Sequence, residues 1–138
     1  MKYKTLWHIT PADNMASIAD EGINPSYSAG KYMRCWYVEW RGLPWALAHI
    51  SARYAVPVNQ LVAVRCCIRV DRCTHYRLAM WWSADVIRRG SRRILPGDMA
   101  LSIWERQRAG LGKFYAQSQT TYHRVHHNKS ENLNEGTR

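Results

Sequence analysis

The sequence predicts a small α+β domain, and three observations carry that expectation. Residues 61–70 (LVAVRCCIRV) alternate with a two-residue period, Val62, Val64, Ile68 and Val70 facing one way and Arg65 and Arg69 the other, which is the pattern of a strand. Two helices are announced by proline at the first helical position, one after Thr10-Pro11 and one at Leu43-Pro44. No GxGxxG and no GxxxxGK[ST] occurs, so neither a dinucleotide fold nor a phosphate-loop fold is indicated.

The elements follow in order. Residues 4–9 (KTLWHI) are short, aromatic and aliphatic, and read as a first strand. Thr10 offers a hydroxyl cap, Pro11 a fixed φ and Asp13 a charge that suits the positive end of a helix, with Met15, Ile18 and Ala19 following at helical spacing. Gly22 is the stop, because glycine enters the left-handed conformation cheaply. Residues 24–31 (NPSYSAGK) are turn-rich, and residues 32–40 (YMRCWYVEW) form the next strand. The second helix runs to about Tyr54, with Leu43, Ala46, Leu47, Ile50 and Tyr54 on one stripe, and Val56-Pro57-Val58 ends it. A shorter strand is expected around residues 76–82, in a pattern that closes with one or more short strands. Asp98 is placed to cap a last helix through Met99, Ala100, Ile103 and Trp104 to about Arg108. The expected organisation is one domain over residues 3–108 and a mobile, polar and basic tail over 109–138.

Composition narrows the function. The 138 residues are 46% hydrophobic, enough for a core, and no stretch reaches the ~18 apolar residues of a membrane span. The opening MKYKTLWHIT has no apolar run of signal-peptide length, so a cytoplasmic protein is expected, without a membrane partner. Twenty basic residues against ten acidic ones give a net charge of +10, which favours polyanionic partners. Most of the basic residues are arginine, the better residue for bidentate phosphate contacts. Seven Trp and eight Tyr against one Phe supply rings with polar handles that also stack on bases. Cys35, Cys66, Cys67 and Cys73 form no CxxC pair, so zinc-finger and disulfide-scaffold readings fail on spacing. The tail residues His123, His126 and His127 lack a neighbouring carboxylate or cysteine, and no metal is expected.

His8 is the sharpest candidate for chemistry. The stretch LWHITPADNMASIADEGINPS resembles the opening of the ADP-ribosyltransferase superfamily: a strand carrying His-x-Thr, a short helix, then a Gly-hydrophobic turn. Where the family usually has glycine between the two, this chain has Ile9. After a turn containing Gly30, the strand Arg34-Cys35-Trp36-Tyr37-Val38 stands where the family has its second motif. By layout the chain is most similar to the NAD-binding lobe of the RNA 2′-phosphotransferases, without their additional amino-terminal lobe.

That resemblance implies a split, twisted, antiparallel-rich sheet with two or three short helices. It implies NAD as the co-substrate, with His8 and Thr10 holding ribose and carboxamide. Tyr37, or next Trp36, would stack on nicotinamide, and an arginine would bind pyrophosphate; by side-chain chemistry Arg34, Arg53 and Arg65 are the candidates to clamp a pyrophosphate or a nucleic-acid phosphate. The family's third-motif glutamate has no clear match: Glu39 lies in the wrong strand, Asp98 and Glu105 lie late, and Arg92 or Arg93 stands at the expected spot. The implied activity is transfer of ADP-ribose, or the related 2′-phosphate transfer, to a phosphate-rich acceptor such as nucleic acid. Two alternatives stand beside it: a non-catalytic basic and aromatic nucleic-acid-binding module, and an effector that ADP-ribosylates a host protein.

Arg88, Arg89, Arg92 and Arg93 crowd four guanidiniums into six residues without an acid, which invites a nucleic-acid backbone. The interleaved Arg34, Trp36, Trp40 and Arg41 also suit a stacking surface. Cys35 paired with His49 or His75 is a further candidate nucleophile.

Overall fold

The computed structural model describes residues 2–28, 33–88 and 93–116, with side chains of the last helix described as far as Gly110. The chain divides into two compact units, Met1–Asp98 and Met99–Arg138. The first is α+β. Its strands are β1 (Tyr3–Pro11), β2 (Cys35–Val38), β3 (Leu61–Arg69), β4 (Thr74–Arg77), β5 (Met80–Ser83) and β6 (Ile94–Pro96), and its helices are α1 (Met15–Glu21) and α2 (Leu43–Tyr54). A third helix, α3 (Gly97–Ala116), carries the described residues of the second unit. It continues past Arg108, where sequence periodicity fades, and the expected tail beyond Ala116 lies outside the described residues.

All six strands join one antiparallel sheet in the order β4-β5-β2-β1-β3-β6. Its centre is the β1–β3 ladder, paired without interruption from Tyr3↔Arg69 to Pro11↔Leu61. Alternation along these strands sorts side chains onto two faces. On the first, Leu6, Tyr37, Val62, Val64, Cys66 and Ile68 form a buried cluster, closed by Ile18 of α1 and by Ile23 and Ile87. Full burial of each such aliphatic side chain contributes about 2 kcal/mol. On the second, Trp7, Ile9, Val38, Leu61 and Ala63 are buried, and α2 adds Leu43, Ala46 and Leu47. Leu47 and Leu61 both flank Gly97.

Two elements depart from the local reading. Thr10 does not cap a helix: it stays in β1 opposite Val62, and a 3₁₀ turn at Ala12–Asn14 intervenes before α1. The ladder to β3 satisfies backbone groups over two more residues, which outweighs an isolated cap. The shorter strand expected around residues 76–82 is a hairpin, with Leu78 and Ala79 at the turn between β4 and β5. It escapes notice because no Gly or Asn marks it: Leu78 itself takes φ 51°. Its carbonyl accepts from His75 Nε2 at 2.8 Å and Arg41 Nη2 at 2.9 Å, which holds this unfavourable turn in place.

Gly22 ends α1 as the sequence indicates, at φ 76° with its N–H donating to the Ile18 carbonyl. Its position is doubly restricted, because a Cβ there would stand 2.8 Å from the Ile87 carbonyl oxygen. That carbonyl accepts from Ile23 N at 2.8 Å in the bridge that ties the end of α1 to the segment after β5. Gly22→Ala is therefore expected to cost about 2 kcal/mol, read as a lowered urea midpoint. Leu78→Asn should act oppositely. The side chain is 76% exposed, so nothing is lost from the core, and a residue tolerant of positive φ adds roughly 0.5 kcal/mol.

Candidate functional site

His8 lies in β1 opposite Val64, half-buried, on the face that carries Leu6 and Tyr37. Its Nδ1 is 2.9 Å from the carbonyl oxygen of Trp36 in β2. A carbonyl only accepts, so Nδ1 holds the proton and Nε2 of the neutral ring is left as an acceptor. Burial pushes the His8 pKa down, and the bond to Trp36 opposes this only in part. The ring is thus held neutral in one tautomer and one orientation.

Tyr37 lies beside it, the two rings 5.4 Å apart and tilted by 50°. The residues that the sequence pairs as first and second motifs are neighbours in space. Tyr37, however, is only 1% exposed and belongs to the buried cluster, so its ring is enclosed rather than offered to solvent. Its hydroxyl is buried without a hydrogen-bond partner. Burial, then the Cys66, Cys35 and Cys73 thiols, drive its pKa far upward. Thr10, two residues beyond His8 and therefore on the same face, is also buried. Its Oγ1 accepts from Asn14 Nδ2 at 2.8 Å, which leaves its own proton available to donate.

The register continues this row outward, Tyr37 opposite Trp81 and Trp81 opposite His75. The His75 and Trp81 rings are 4.9 Å apart, and Lys4 Nζ stands 4.9 Å from the centre of the Trp81 ring. Trp81 Nε1 donates to Glu39 Oε2 at 2.8 Å, while Arg41 Nε donates to Oε1 at 3.1 Å and Lys4 Nζ lies 3.8 Å away. Burial alone would raise the Glu39 pKa, but the bonds from Trp81 and Arg41 and the Lys4 charge outweigh it and hold the carboxylate ionised. Sequence reasoning set Glu39 aside and did not connect it with Lys4 or Trp81. Its only signal was parity: Tyr37 and Glu39 are two apart in an extended segment, as are Lys4, Leu6 and His8.

Trp36 alternates to the opposite face, 38% exposed. Arg34 goes with it, its guanidinium carbon 5.6 Å from the Trp36 ring centre and 4.8 Å from that of Trp82. The structure therefore groups His8, Thr10 and Tyr37 on one face, and Arg34 and Trp36 on the other. Arg88 and Arg93 are exposed, the former donating to the Asp20 carbonyl at 3.4 Å; Arg89 and Arg92 lie outside the described residues, as do His123, His126 and His127.

Cys35 is a poor nucleophile here. Burial pushes its thiol up to about 11, so the thiolate is scarce at neutral pH. His49 stacks on Trp45 at 5.0 Å, and His75 is bonded to Leu78. Among the described residues no three His, Cys, Asp or Glu side chains converge into a group able to hold a metal ion, and no helix is long and apolar enough to cross a membrane. No family model, no curated protein and no solved structure matches the chain.

The two titrating groups of this row act in different pH windows. The folded-state pKa of His8 lies below the unfolded value of about 6.5, so below that pH the unfolded chain takes up a proton that the folded chain refuses. Stability from this source falls as pH drops through 6.5 toward the folded-state pKa, and His8→Gln should lose that component. Comparing urea midpoints of the two proteins at pH 7.5 and 5.5 reads it directly. Glu39, with a depressed pKa, contributes above its unfolded value of about 4.3 and loses its contribution only in more acid solution.

Proposed function

We propose that this chain is an NAD-consuming transferase of the ADP-ribosyltransferase type, transferring ADP-ribose, or catalysing the related 2′-phosphate transfer, with a phosphate-bearing nucleic acid as acceptor. The observation that carries this reading is the adjacency of His8 and Tyr37 across β1 and β2, with His8 fixed by the Trp36 carbonyl. What supports the reading from the fold is its α+β class, a six-stranded antiparallel sheet with short helices, although the sheet is one continuous sheet where a split one was expected.

The hydrogen-bonding characters fit the proposed substrate. His8 Nε2 accepts, and a ribose hydroxyl donates; the Thr10 hydroxyl donates, and a carboxamide oxygen accepts. When bound, NAD supplies a glycosidic bond that breaks with the electron pair leaving on nicotinamide, while an acceptor oxygen forms the new bond to the anomeric carbon. Positive charge grows at that carbon, and a neutral His8 avoids placing a like charge beside it. Tyr37 backs the imidazole and keeps its orientation. Glu39 is committed to Trp81, Arg41 and Lys4, so it is not a free base for a hydroxyl nucleophile. A phosphate oxygen is already anionic and needs none, which favours a phosphorylated acceptor. Exposed Arg88 and Arg93 add cations for its backbone.

The test is nicotinamide release from NAD by the purified protein, with and without RNA and DNA carrying terminal phosphates. Release stimulated by one of these acceptors and reduced about 100-fold in His8→Ala is the expected result, with circular dichroism verifying that the variant is folded. No release with any acceptor, or release indifferent to His8, overturns the proposal.

A further inference from the structure

The face opposite His8 has its own construction along β2, β5 and β4. Trp36 in β2 pairs in register with Trp82 in β5, and Tyr76 of β4 meets Trp36 edge to face at 5.2 Å. Alternation from Thr74, opposite Trp82, puts Tyr76 on this face, and the register shifts beside it, pairing passing from His75↔Trp81 to Arg77↔Met80. Trp36 and Tyr76 remain 38% and 53% exposed, and every residue of β4 is exposed. A core role would have enclosed these rings.

Each ring carries a cation. Arg34 lies over Trp36 and Trp82, and the Arg77 guanidinium carbon is 5.5 Å from the Tyr76 ring centre. The Arg77 guanidinium, held over a ring, keeps N–H groups at its edge for phosphate oxygens at little further cost in side-chain entropy. β2, β4 and β5 contain no Asp or Glu, in a chain of net charge +10. Rings in a row with arginines between them, on an acid-free sheet face, match a strand of unpaired bases on a phosphate backbone. A duplex does not fit as well, since its base faces are already stacked on one another.

We propose that the outer face of β2, β5 and β4 binds single-stranded nucleic acid, the bases stacking on Tyr76 and on the Arg34 guanidinium plane over Trp36 and Trp82, and the phosphates meeting Arg77. This surface does not depend on the transferase reading: His8 is on the other face, and binding here survives its removal.

The test is fluorescence anisotropy with short labelled single-stranded RNA and DNA of one mixed sequence, and with the corresponding duplex, over a range of salt. Single strands bind more tightly than the duplex. Tyr76→Ser weakens binding about tenfold while Tyr76→Phe, which keeps the ring, does not. Arg77→Gln makes the slope of log affinity against log salt shallower by about 0.7, the value for one phosphate contact on a single strand. His8→Ala binds as the unaltered protein does. Both positions are exposed, and unchanged urea midpoints verify that the variants are folded. Preference for RNA over DNA would add a contact to the 2′-hydroxyl on this face. Equal or tighter duplex binding, or loss in Arg88→Gln and Arg93→Gln with none in Tyr76→Ser, overturns the proposal. So does the absence of nucleic-acid binding, which leaves this face to a protein partner.

Discussion

The uninterrupted antiparallel ladder between β1 and β3 is the constraint on which the rest depends. It sets Tyr3 against Arg69 and Pro11 against Leu61, and every residue between them inherits a face. A slip of one residue would turn Leu6, His8 and Thr10 to the other face and part them from Val62, Val64 and Cys66. The buried cluster over these strands opposes that slip by several aliphatic side chains at once. His8 is thus oriented less by its own single hydrogen bond than by the hydrophobic register of the strands that carry it.

The same alternation gives β2 two unlike sides. Tyr37 goes inward beside His8, and Trp36 goes outward beneath Arg34. The Trp36 residue also supplies the carbonyl that fixes the His8 tautomer, so one short strand serves both faces through different atoms. Around His8 and Tyr37 burial favours uncharged groups, a neutral imidazole, an un-ionised phenol and a protonated Cys35 thiol, while the ionised Glu39 sits farther along the row with Lys4 and Arg41. The outer face carries Arg34 and Arg77. The sheet itself separates the uncharged surroundings of His8 from the arginines of the other face.

Much of the fold was legible locally. β3 showed its period, α2 began at Leu43 and ended at Tyr54 as the pattern indicates, and Gly22 stopped α1. The hairpin was not legible, because Leu78 adopts a conformation that its side chain disfavours and the bonds that hold it come from Arg41 and His75. The Thr10 cap was misread for a related reason. Helix-cap chemistry and strand pairing competed for one residue, and the strand's partner, Val62, is more than fifty positions away. For the candidate site, His8, Thr10, Tyr37, Trp36 and Arg34 were all picked out as residues, but their division between two faces was not.

The sequence by itself determined the class of the domain, the span of α2 and the end of α1, its cationic and aromatic character, and the candidate residues for chemistry. These follow from short-range rules, in which periodicity, caps and composition act within a few residues. Only the tertiary structure decided which of those residues meet. Strand order and register place His8 against Tyr37 and bring Lys4, Glu39 and Trp81 together from three separate strand regions. Strand order likewise brings the Tyr76 ring to Trp36 across an intervening strand. Such contacts depend on long-range pairing, whose free energy comes from burying the whole sheet and is written in no single segment.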